Sequence, residues 1–120
     1  MGLDMDEDMW RTVLSAALCV NAAAGFGYRL FRLSKGGPLG DVLGQAVLGV
    51  LLLALAAAAV SGASFVSWAS LLYAALFGMI VMPLWVVAVL IPLRPQRLDL
   101  VFTAVYWLAL IVIALAALAL

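Results

Sequence analysis

Apolar residues run through this chain in four long stretches, at about 10–28, 41–60, 64–91 and 98–120, with polar residues gathered between them. None of the stretches alternates with the period of two that a barrel strand needs. Each supplies the roughly 20 apolar residues that carry a helix across a hydrocarbon core of about 30 Å. The pattern therefore predicts an all-α, integral membrane four-helix bundle, one transmembrane domain over residues 1–120. The third stretch is long enough to tilt or kink, and it contains Pro83 with Gly78 just before it. Proline removes a backbone donor and bends a helix, so these two residues mark a candidate hinge, with a static kink as the simpler expectation.

The interruptions are short. The first, Arg29 to Asp41, contains Gly36, Gly37 and Pro38, residues that stop one helix and allow another to start. The second, Ser61–Ser64, carries no charge and makes a tight hairpin. The third is broken by Pro92 and Pro95.

Composition agrees with a lipid environment. Of 120 residues, 69% are hydrophobic and 10% charged, and mean hydropathy is +1.30. Soluble domains are nearer roughly 45–50% apolar and 25% charged, and a soluble chain this short has too little interior to hide so much apolar surface.

Charge adds direction. Arg29, Arg32, Lys35, Arg94 and Arg97 gather around the first and third connections, whereas Arg11 stands beside Asp4, Asp6, Glu7 and Asp8. The positive-inside bias then places both basic loops in the cytoplasm and both termini outside, as expected in a bacterial cytoplasmic (inner) membrane. The acidic N-terminal flank lacks the positive n-region of a signal peptide, so the first stretch reads as a retained helix. Asp41 and Asp99 fall in the first turns of the second and fourth helices, and the arginines fall near the ends of the first and third. Each sign suits its helix dipole, and both aspartates are expected to pair with loop arginines. Trp10 and Trp68 suit an outer aromatic belt and Tyr28 an inner one, whereas Trp85, Tyr106 and Trp107 lie deeper and are expected to pack between helices.

Few residues carry chemistry. Asn21 is the outstanding mid-helix polar group, on a stripe with Ala17 and Gly25; Ser15, Cys19 and Ala23 form a second stripe. Small-residue stripes let helices approach, and an Asn amide then bonds across the contact or lines a pathway. Gln45 lies one turn past Asp41, and Gly40 with Gly44 form a GxxxG pair. Ser61, Ser64, Ser67 and Ser70 recur every third residue; their hydroxyls are expected to bond carbonyls of the preceding turn, with a watery vestibule as the alternative. No acidic or basic residue lies deep in a helix, as transporters, pumps and intramembrane proteases generally require. There is no histidine and one cysteine, expected to pack rather than react. These features point away from an enzyme, a cofactor, a metal centre or a nucleic-acid partner.

The stretch YRLFRLSKGGPLGDVLGQAVLGV, through Arg32, Lys35, Gly37, Pro38 and Asp41, resembles the small F-type subunit of multisubunit sodium/proton antiporters. It departs from that family in an inserted glycine, no arginine after Asp41, no acid within the second helix, and a fourth helix. The resemblance implies an accessory subunit. The leading expectation is thus a non-catalytic accessory, assembly or stabilising subunit, with membrane lipids and other subunits or further copies as partners. The alternative is an ion or small-molecule channel or transporter subunit lined by Asn21, Gln45, Ser67 and Ser70. A third reading sets Arg29, Arg32, Arg94 and Arg97 against anionic lipid head groups.

Overall fold

The computed structural model describes residues 7–37, 39–92 and 97–120, so Asp4, Asp6, Pro38, Arg94 and Pro95 lie outside the described residues. It is all-helical, without a strand among the described residues. Helix α1 is Glu7–Ser34 and α2 is Leu39–Ser61. The third span begins as α3, Val66–Leu76, widens to π-helix over Phe77–Val81, tightens to α4, Met82–Trp85, and widens again over Val86–Leu90. Helix α5 is Arg97–Ala119. All four spans are long and apolar enough to cross a membrane, in a body 48 Å long and about 20 Å across.

Helix α1 continues six residues beyond the stretch expected to end near Tyr28, so Arg29 and Arg32 are helical rather than part of a loop. Its stop is set by backbone geometry. Gly36 adopts φ 90°, and the amides of Gly36 and Gly37 return to the carbonyls of Leu33 and Arg32 at 3.0 and 2.7 Å. This is a Schellman ending, with glycine in the left-handed position that side chains resist. Helix α2 ends the same way at Gly62, φ 89°, with Gly62 and Ala63 donating to Ala59 and Ala58. Arg11 reaches across from α1 and donates to the Ala59 and Ala63 carbonyls at 3.2 and 3.3 Å, a cation on the negative end of α2.

The core lies along α1. Leu14, Leu18 and Ala22 pack with Leu52, Ala56 and Ala59 of α2, Val66 and Ala74 of α3, and Leu110, Ile113 and Ala116 of α5. Helix α1 lies along both α2 and α5, the third span packs on α5, and α2 touches the third span only slightly. Of the two small-residue stripes, Ala17, Asn21 and Gly25 turn inward; Cys19 and Ala23 are exposed, so Cys19 does not pack within this chain as expected. Val42, Gly49, Leu52, Ala56 and Ala59 form the buried face of α2. Gly40 and Gly44 stand in open space on the other side, so the packing expected of that pair does not occur within this chain.

The proline of the third span is braced. Met82 donates to the Phe77 carbonyl, five residues back. The next donor in that register would belong to Pro83, which has none. The Gly78 carbonyl instead accepts the Trp107 indole N–H at 3.1 Å. A neighbouring helix thus satisfies the group freed by proline, as a membrane interior demands. Trp107→Phe is expected to destabilise the protein by about 1–2 kcal/mol by orphaning this carbonyl. Adding Pro83→Ala, which restores a donor, should shrink that loss; equal losses in both backgrounds, measured by unfolding in mixed micelles, would exclude the brace.

Candidate functional site

Two polar clusters occupy the bundle interior, one in mid-span and one toward the end that carries the first and third connections. The first centres on Asn21, which is fully buried. Its Nδ2 donates to the Tyr106 carbonyl at 3.1 Å, and the Tyr73 hydroxyl donates to its Oδ1. The Tyr73 and Tyr106 hydroxyls lie 2.9 Å apart. A phenol has one proton to give. That of Tyr73 goes to Asn21, so Tyr106 donates to Tyr73, and the direction of the chain is set. Tyr106 keeps a lone pair on the side of Gln45. The Gln45 amide approaches that hydroxyl without reaching hydrogen-bond geometry, and its buried Nε2 has no partner among the described residues. Gly25 makes room for it: a Cβ there would collide with the Gln45 amide.

The second cluster is ionic. Asp99 is 2% exposed and accepts the Tyr28 hydroxyl at 2.7 Å. Arg32 Nη1 lies 3.6 Å from the same carboxylate oxygen. Thr103 returns its hydroxyl to the Asp99 carbonyl at 2.8 Å, within the first turn of α5. Arg29 Nη1 lies 3.6 Å from Asp41 Oδ2, and its guanidinium stands 5.8 Å from the ring centres of both Tyr28 and Trp85. Tyr28, expected as an interfacial anchor, is instead buried, with the Trp85 ring edge-on at 5.6 Å. Lys35 lies over Phe31 at 5.9 Å, and Arg97 is exposed.

Between the clusters is a cleft of about 80 Å³ to which all four spans contribute: Gly25, Tyr28 and Arg29, Gln45, Val81 and Trp85, Phe102 and Tyr106. That is room for several water molecules. A second hollow of about 330 Å³ lies on the outer wall between α1 and α2, over Cys19, Ala23, Ala46 and Gly49, and shares Gln45 with the cleft.

The structure therefore brings Asn21, Gln45 and Arg29 to one side of the bundle interior. It leaves Ser67 half-buried and Ser70 fully buried on α3, away from that cleft. Ser61 bonds the Ala58 carbonyl at 3.0 Å as expected of the serine band. Ser70 does not follow: its buried Oγ has no hydrogen-bond partner among the described residues. Sequence reasoning missed Tyr73, Tyr106 and Tyr28 as polar partners. The available signal was a hydroxyl in a span where phenylalanine would pack as well, since lipid offers that hydroxyl nothing.

Asn21→Leu and Tyr73→Phe are each expected to cost about 1–2 kcal/mol, the range for a hydrogen bond whose partner is left unpaired between membrane helices. Their double variant should cost less than the sum. Strict additivity in a double-mutant cycle would remove the bond from the account of stability.

No family model, characterised protein or solved structure matches this chain.

Proposed function

We propose that this protein is a non-catalytic accessory, assembly or stabilising subunit of a larger membrane complex. The observation that carries the reading is the use made of the interior polar groups. Asn21, Tyr73, Tyr106 and Trp107 bond to one another or to backbone carbonyls of neighbouring spans. Groups committed in this way fasten helices together and are not free to pass a substrate along. The outer hollow over Ala23, Ala46 and Gly49 supports the same reading, because small residues admit a neighbouring helix closely. The channel or transporter subunit is retained as the alternative on one observation, the cleft holding Arg29 and the unpartnered Gln45 amide.

In this reading Arg29, Arg32, Lys35, Arg94 and Arg97 face the cytoplasm and Arg11 the outside, in a bacterial inner membrane. Ser34 and Ser61, both exposed, lie at opposite ends of the bundle. In a Cys19→Ala background, Ser61→Cys should react with a membrane-impermeant maleimide on intact cells and Ser34→Cys only after lysis; the opposite pattern would invert the orientation.

Purification in mild detergent should recover unrelated membrane chains in fixed proportion to this one. Recovery of a monodisperse self-oligomer alone would overturn the accessory reading in favour of the alternative.

A further inference from the structure

We propose that the cleft between the spans holds an anionic phospholipid, its phosphate at Arg29 and Gln45 and the start of one acyl chain running inward past Val81 and Phe77. Four observations converge on this occupant. Arg29 keeps a quarter of its side chain exposed while lining the cleft. Its guanidinium has five donors, and Asp41, itself half-exposed, takes one edge at a loose 3.6 Å. Gln45 also lines the cleft, and its buried Nε2, beside Gly25 and near the Tyr106 hydroxyl, makes no hydrogen bond among the described residues and is a second donor within reach. Beyond these donors the lining is mainly apolar, with Tyr28, Thr103 and Tyr106 as its other polar members, and Phe77 lies about two helical turns deeper along the third span than Trp85.

Access and charge fit the same molecule. The cleft is open on one side, and α2 and the third span scarcely touch, so a chain can enter laterally from the bilayer. Arg32, Lys35 and Arg97 stand at the same end of the bundle, where cations draw anionic head groups to the surface. Arg29 at the mouth, Gln45 a turn further in, and the side chains of Val81, Met82 and Phe77 along the third span match the polarity of a lipid. A free phosphate satisfies the donors alone and leaves the apolar depth unused.

The experiment is native mass spectrometry of the full chain released from mild detergent. It is titrated separately with phosphatidylglycerol, phosphatidylcholine and inorganic phosphate. One phosphatidylglycerol per chain should survive activation that strips phosphatidylcholine, and millimolar inorganic phosphate should not displace it. Arg29→Gln should lower its retention about fivefold, the effect of about one surface cation, and Gln45→Leu should also lower it. Lys35→Gln, exposed and outside the cleft, removes surface attraction without a contact to the bound molecule and should lower retention less than Arg29→Gln does. Val81→Phe, which narrows the cleft without touching charge, should reduce retention and carries the test should Arg29→Gln fail to fold. Equal retention of phosphatidylcholine, displacement by inorganic phosphate, equal losses in Arg29→Gln and Lys35→Gln, or full retention in Val81→Phe would each overturn the proposal.

Discussion

Between membrane helices little water competes for a donor or an acceptor, so a polar group there is costly unless the protein itself answers it. Much of this bundle can be understood as the working out of that constraint. Asn21 of α1 is answered twice, by the Tyr106 carbonyl and the Tyr73 hydroxyl, and through them one amide joins three spans. The carbonyl released by Pro83 is answered by Trp107. The buried Asp99 carboxylate is answered by Tyr28, with Arg32 beside it. Helix α5 contributes to all three arrangements, so it is the span on which the others are registered. Apolar packing of Leu14, Leu18, Leu110 and Ile113 fills the space between these fixed points.

The two ends of the bundle meet the constraint differently. At the end formed by the second connection, helix α2 finishes on Gly62 and its last carbonyls take Arg11. At the opposite end, Arg29 and Arg32 near the end of α1 face Asp41 and Asp99 in the first turns of α2 and α5, signs that suit their helix termini, whereas Arg97, expected at the end of the third helix, instead opens α5 at the terminus that disfavours a cation. The Arg29–Asp41 pair, at 3.6 Å with both partners partly exposed, contributes little stability by itself. Its effect is to hold Arg29 against Tyr28 and Trp85, at the rim of the cleft, with most of its donors still available.

How far this was legible from residues alone depended on the length scale of the signal. The spans, the glycines that end α1 and α2, and the gathering of basic residues at one end follow from local pattern. Asn21 stood out as a polar residue in an apolar helix, but its partners did not, because Tyr73 and Tyr106 also fit as packing aromatics and lie 52 and 85 residues away in the chain. Counting four residues back from Pro83 points to the Met79 carbonyl; the π-helical turn moves the freed acceptor to Gly78, a shift that no local rule anticipates. Gly40 and Gly44 illustrate the converse. Their spacing suits a close helix contact, yet the face they occupy points away from α1, since contact faces are chosen by the sum of the packing rather than by one motif.

The distant partners of Asn21 bear on how the protein is assembled. Helix α1 has the lowest hydropathy of the four spans, and precedes the others in the chain. A nascent α1 therefore enters the bilayer with its amide unanswered, and the groups that answer it are translated only with the third and fourth spans. Until then the amide has no partner from its own chain at that depth, so the register of the first helix is fixed only when the last is in place.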